Sequence, residues 1–178
     1  TNGSTRDDNV IFVGTMYPSR EQFFKRVNWG PAKFDMYGLW SSKRKNARLR
    51  RNLRGQVIEN DQVAELYRRA GVGLSLHRTQ RFVDIGAVID DGEAYSAGPR
   101  TWELAACATF QVSDYRREIA DVFGDTVPFY QTPGELSAIV RRAINDPVWR
   151  DEQAARQREC AQAFDCKTTF GHMLEALT

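Results

Sequence analysis

The sequence predicts an α/β fold, a Rossmann-like doubly wound parallel sheet with helices on both faces. Short β-branched apolar runs alternate with amphipathic helical segments, and most of the connections between them are short. The first run, VIFVG, is apolar at nearly every position, as a strand covered on both faces must be. The chain has 178 residues, of which 42% are hydrophobic and 27% charged, the size and composition of one domain with a proper core.

In order along the chain, the first eight residues, TNGSTRDD, are small and polar, and read as a linker or cloning remnant ahead of a domain over 9–178. VIFVG (10–14) is the first strand. PSREQFFKRV (18–27) is a helix opened by Pro18 or Ser19, with Phe23, Phe24 and Val27 on its apolar face. FDMYGLW (34–40) is a second strand, KRKNARLRRNLR (43–54) a dense basic run, and GQVIEN (55–60) a short strand. NDQVAELYRRAG is a helix capped by Asn60 or Asp61 and stopped by Gly71, and VGLSL (72–76) is the next strand. Residues 77–97 show no period and predict a long loop, a feature commonly tied to function. A helix over 99–108, a strand over 109–113, a short helix near 115–122 and a strand near 126–130 follow. The chain ends with helices over 133–145 and 148–164, divided by Asp146-Pro147, and an amphipathic segment over 167–177. In doubly wound sheets ligands bind at the carboxyl ends of the strands. Five segments reach that edge: 14–20, 38–42, 57–60, 77–98 and 113–116.

Several classes are excluded. Three cysteines, Cys107, Cys160 and Cys166, lack both disulfide parity and metal-ligand spacing, so reduced thiols and a cytoplasmic location are expected. No apolar run is long enough to cross a bilayer, and no signal peptide is visible. GTMYPS after the first strand lacks the G-x-G-x-x-G pattern, so no NAD is expected, and no phosphate-binding G-x-x-x-x-G-K-[ST] loop or Ser-His-Asp arrangement stands out. The net charge of +2 does not imply nucleic acid. The basic run 43–54 fits either a solvated helix surface or contact with nucleic-acid or lipid phosphates. His172, near the end, reads as structural.

GPRTWELAACATFQVSDYR (98–116) places Glu103 inside an otherwise apolar segment. A helix starting at Pro99 carries partial positive charge and free N–H groups at its N-terminus. Such groups at Gly98 and Arg100 suit a diphosphate, and a carboxylate one turn further in can accept two hydrogen bonds from sugar hydroxyls. From spacing alone, a Glu103 that only favours the helix dipole and a Gly98 that only makes a turn remain open. His77, at the end of the strand 72–76, faces the same edge and is a candidate donor to a sugar or phosphate.

The order of elements from 10 to 178 resembles the C-terminal, donor-binding half of a GT-B glycosyltransferase, with family 4-like and spore-maturation-type enzymes as the nearest relatives. AGPRTWELAACATFQVSDYR resembles their G-x-R-x-x-E-A-x-A-C-G stretch. The resemblance makes Glu103 the ribose ligand and Gly98 and Arg100 diphosphate neighbours. VGTMYPSREQF resembles V-G-R-x-x-x-x-K: Gly14 matches, Thr15 stands where the first basic residue is expected, and Arg20 takes the lysine position. LRGQVIENDQVAELYRRAGVGLSLHRT resembles the strand-helix-strand in which the nucleobase packs near Val57 and Ile58. Tyr95 replaces the earlier glutamate of an E-x7-E pair, with Glu93 two residues away, and Ala108 replaces a glycine. The resemblance implies sugar transfer from a nucleotide-diphosphate sugar to an unnamed acceptor, with no cofactor and no essential metal. It also implies an N-terminal GT-B domain as partner, without which this half binds nucleotide and turns over poorly. The alternative is a non-catalytic nucleotide- or nucleic-acid-binding module. Little nucleic-acid binding is expected.

Overall fold

The computed structural model describes residues 6–40, 47–56, 58–77, 80–82, 88–90 and 95–164. Six strands form one parallel sheet: β1 (Asp7–Val13), β2 (Lys33–Tyr37), β3 (Leu53–Gly55), β4 (Ala70–Ser75), β7 (Gln111–Asp114) and β8 (Phe129–Tyr130). Between β4 and β7 lie two short strands, β5 (Gln80–Phe82) and β6 (Val88–Asp90), paired antiparallel with each other. The spatial order of the large sheet is β3-β2-β1-β4-β7-β8. The Rossmann-like expectation holds. The chain steps outward from β1 to β3, returns across to β4, and then steps outward on the other side. Right-handed crossovers in opposite directions place their helices on opposite faces.

The helices are α1 (Pro18–Phe24), α2 (Ala47–Arg50), α3 (Asn60–Arg69), α4 (Pro99–Ala106), α5 (Arg117–Phe123), α6 (Pro133–Asn145) and α7 (Pro147–Gln162). On one face Phe24 of α1 and Leu136 and Val140 of α6 pack on Phe12, Phe34, Val72 and Leu74. Rings interlock there: Phe12 and Phe24 meet edge-on at 5.1 Å, and Trp29 stacks on Phe34 at 3.9 Å. On the other face Ile11 packs with Tyr67 of α3 and Leu104 of α4, while Ala105 joins Ile119 and Phe123 of α5. Val10 and Phe12 thus point one way and Ile11 the other, the period-two alternation of a strand buried on both sides.

Several expectations are corrected. Residues 6–8 belong to the fold: β1 starts at Asp7, and Arg6 donates to the carbonyls of Arg68 (2.6 Å) and Ala108 (2.8 Å). Residues 1–5 lie outside the described residues. The third strand is Leu53–Gly55 rather than 55–60, because pairing with Met36 and Tyr37 of β2 selects the end of the basic run. That run also contains α2, whose Leu49 is buried. The residue before α3 is Glu59, with no side-chain cap, and Gly71 is the second residue of β4 rather than a helix stop. The predicted long loop carries the β5–β6 pair. Residues 43–46, Val57, Glu93, Cys166, His172 and the segment 167–177 lie outside the described residues.

The later helix starts follow their local chemistry. Thr132 and Glu135 form a reciprocal capping box at α6, and the Asp146 side chain accepts from the Trp149 N–H at 3.0 Å to start α7.

Candidate functional site

The strand order reverses between β1 and β4, and their carboxyl ends open a crevice. Gly14 follows β1 with φ +154°, and Gly38 follows β2 with φ +123°. A Cβ on Gly38 would stand 2.5 Å from the Gly14 carbonyl oxygen, so the two strand ends touch backbone to backbone. A Cβ on Gly14 would stand 3.1 to 3.3 Å from the guanidinium of Arg100, so Gly14 seats that side chain.

A cavity of about 400 Å³ occupies the crevice. Its walls are Arg20 from α1, Leu76 and His77 after β4, and Gly98, Arg100 and Glu103 around the start of α4. Arg20, the third residue of α1, is only 9% exposed. Its Nη1 donates to the Thr15 carbonyl at 2.8 Å and its Nη2 to the Leu76 carbonyl, while its buried Nε–H has no acceptor among the described residues. The guanidinium lies between the rings of Phe12 (5.3 Å) and Tyr17 (5.4 Å). Among the described residues its hydrogen-bond acceptors are carbonyls only, with no carboxylate at ion-pair distance. Burial and then the Arg100 charge push its pKa down to about 10. Arg100, the second residue of α4, donates from Nε to the Tyr67 hydroxyl at 3.2 Å. The cavity therefore holds two like charges in a partly dry place.

His77 is held at both ring nitrogens. Its backbone N–H and its Nδ1 both meet Asp114 Oδ1, at 2.9 and 2.7 Å, and its Nε2 accepts the Gly98 N–H at 2.8 Å. Only the neutral Nδ1–H tautomer satisfies both partners. Two expectations change in consequence: the Gly98 N–H is occupied, and His77 has no ring N–H left for a sugar or phosphate. The Arg100 N–H, in the first turn of α4, has no acceptor within the helix. Ser75 also lines the cavity; its Oγ meets Thr101 Oγ1 at 3.3 Å, and the Tyr130 hydroxyl donates to its carbonyl at 3.1 Å.

Glu103 is exposed, because α4 buries Thr101, Leu104 and Ala105 and turns its fifth residue outward. It stands on the rim of the cationic cavity and of a second cavity of about 280 Å³. That second cavity is mostly apolar, walled by Val63, Ala64 and Tyr67 of α3 and by Ala106 and Cys107 of α4 and its end. Sequence reasoning missed it, although Val63 and Tyr67 show the i, i+4 spacing of one helix face.

The remaining candidates disperse. Thr15 contributes its carbonyl, which accepts from Arg20 and from the Tyr17 N–H. Tyr95 is exposed and leans on α5, its hydroxyl donating to Asp121 at 3.4 Å and its carbonyl accepting from the Glu118 N–H. Ile58 lies beside Gly55 in the link from β3 to α3 and walls neither cavity. Arg54, in the basic run, is paired with the buried Asp35 at 2.6 Å. Burial raises the pKa of Asp35, but hydrogen bonds from Arg54, Asn9 and Lys33 outweigh it and hold the carboxyl below its usual value. Among the described residues no three His, Cys, Asp or Glu side chains gather to hold a metal ion, and no helix is long and apolar enough to cross a membrane.

A doubly wound sheet with its crevice at the strand-order reversal places the chain among the Rossmann-like α/β domains. Residues 19–175 match the family model described as glycosyl transferase-like, and the chain belongs to that family. No curated protein matches it in sequence. Among solved structures it is similar to a T4 phage BGT mutant in complex with UDP-glucose, at TM-score 0.66 and 16% identity, over 93% of this chain and 46% of that one. It is similar to sucrose-phosphate synthase from Thermosynechococcus elongatus at TM-score 0.64 and 17% identity, over 96% and 46% of the two chains. The corresponding values for TarM are 0.63, 15%, 98% and 36%. The chain thus spans less than half the length of each of these structures, and the likeness at such identity is one of fold.

Proposed function

We propose that the chain is the donor-binding half of a GT-B glycosyltransferase of the family 4-like or spore-maturation type, which moves a sugar from a nucleotide-diphosphate sugar to an acceptor. One observation carries this reading: Arg20 is buried with no carboxylate at ion-pair distance among the described residues, and it shares its cavity with Arg100. Two guanidinium groups so placed repel each other until an anion of matching charge lies between them. A diphosphate supplies that charge. The Arg100 N–H at the start of α4 adds a backbone donor.

The other parts follow in order outward from the diphosphate. Glu103, on the rim between the two cavities, accepts the ribose hydroxyls, and the nucleobase extends toward the apolar cavity on α3. In the reaction the acceptor nucleophile bonds to the anomeric carbon and gives up its proton to solvent, while the bond from that carbon to the diphosphate oxygen breaks and leaves its electron pair on the diphosphate. Arg20 and Arg100 stabilise that added charge, a task a metal ion performs elsewhere, so the reading includes neither metal nor cofactor. Shares of 36 to 46% of the similar structures support a partner domain that brings the acceptor. On this reading the present half alone binds donor but transfers little. The free thiols Cys107 and Cys160 suit a cytoplasmic setting. Engagement of Arg54 with Asp35 and burial of Leu49 weigh against a free phosphate-binding stripe along the basic run.

Calorimetry with UDP, GDP, ADP and CDP, each beside its own nucleoside, tests the reading. At least one diphosphate is expected to bind more tightly than its nucleoside. If none does, there is no donor site here.

A further inference from the structure

We infer that Tyr67 is a positioning residue for Arg100: its hydroxyl holds the guanidinium so that the terminal nitrogens face a bound diphosphate. The inference rests on the donor-site reading above and adds a residue that does not wall the cationic cavity. A long, flexible arginine side chain has rotamer entropy to lose on being fixed. Arg100 is fixed in advance by three contacts. Its Nε–H donates to the Tyr67 hydroxyl at 3.2 Å, its Cζ lies 5.6 Å from the centre of the Phe12 ring, and its tip rests against Gly14. Using Nε for the anchor leaves the N–H groups on Nη1 and Nη2, for which no protein acceptor is found among the described residues.

The anchor is itself rigid. Tyr67 is 1% exposed, packs with Ile11 and Leu104, and has its carbonyl held by the Thr109 hydroxyl at 2.6 Å. The choice of a phenol also matters. A carboxylate in that place would orient Arg100 but neutralise it and compete with the incoming anion. A neutral hydroxyl orients it and leaves the charge for the ligand. Burial pushes the Tyr67 pKa up to about 12, against the opposing pull of Arg100, so the hydroxyl keeps its proton at neutral pH.

Tyr67→Phe keeps the ring and removes the anchor. With inorganic pyrophosphate as the probe, calorimetry is expected to show about a fivefold loss of affinity, because rotamer freedom that the anchor removes in advance must then be lost on binding. Arg100→Ala should weaken pyrophosphate binding on its own, and adding Tyr67→Phe to it should change nothing more. In the unaltered protein the Arg100 Nε–H proton should exchange slowly by 15N NMR, and quickly in Tyr67→Phe. Equal losses in both backgrounds would make Tyr67 a packing residue, and no loss from Tyr67→Phe would remove its role. Fast Nε–H exchange in the unaltered protein would also overturn the inference, even if the variant does not fold. Failure of the unaltered protein to bind either pyrophosphate or any nucleoside diphosphate would instead remove the donor site itself, and this inference with it.

Discussion

Arg20→Gln separates a ligand-binding arginine from a purely structural one. The fall of the Arg20 pKa from the ordinary arginine value to about 10 means that keeping the residue charged in the folded protein costs roughly 3 kcal/mol. The unfolded chain holds the proton to higher pH, so this penalty is fully present below about pH 10 and is relieved only as pH rises above it toward the ordinary arginine value. Against it stand two charge-assisted hydrogen bonds, to the carbonyls of Thr15 and Leu76, each worth about 1.5–3 kcal/mol. Together the two bonds exceed the penalty by at most about 3 kcal/mol, so the variant should lower folding stability by no more than that. Its affinity for UDP should fall by roughly 10- to 150-fold, the loss of one charged contact, while its affinity for uridine stays the same. Urea denaturation with and without UDP, together with calorimetry, reads both quantities. UDP should also protect the unaltered protein more than the variant. A stability loss above about 3 kcal/mol, with UDP and uridine weakened in parallel, would show that Arg20 only joins α1 to the sheet.

Glu103→Ala should weaken a nucleotide-diphosphate sugar by about 1.5–3 kcal/mol in calorimetry, with little change in thermal midpoint because the side chain is exposed. A sharp drop in midpoint with unchanged affinity would make the residue structural. Gly14→Ala, at φ +154° and against Arg100, should cost about 1–3 kcal/mol of stability and weaken pyrophosphate as well; an unchanged affinity would mean that Gly14 does not seat the arginine. Neutralising Lys43, Arg44, Lys45, Arg48, Arg50 and Arg51 together should leave UDP affinity at moderate salt nearly unchanged, since no described residue of the run walls either cavity. Strong, salt-dependent DNA binding by the unaltered chain, lost in that variant, would instead favour a nucleic-acid-binding role.

The sheet was legible because burial on both faces leaves a local mark in every strand, as in VIFVG. The third strand was not, because QVIEN has better strand residues than LRG and only pairing with Met36 and Tyr37 decides between them. In the site, local sequence singled out the helix start at Pro99 and the outlying Glu103. It could not show that Arg20, a first-turn residue of the kind that is commonly solvated, is buried by Phe12 and Tyr17. Nor could it show that His77 already takes the Gly98 N–H, since the two are 21 residues apart and meet through Asp114 on another strand. Tyr67 looks like any core aromatic until the structure puts Arg100 beside it.

The reversal of strand order has a mechanical consequence. Arg20 belongs to a helix packed on one layer of the sheet, and Arg100 to a helix packed on the opposite layer. The two layers have separate cores and meet at the seam between β1 and β4. An anion gripped by both arginines is a rivet through that seam, fastening at the crevice two plates that α7 joins elsewhere, with Ala154 in one core and Cys160 and Ala161 against the other. Amide exchange in α1 and α4 should then slow together when pyrophosphate is added, and by less in α6, which lies on the same layer as α1 but does not wall the crevice.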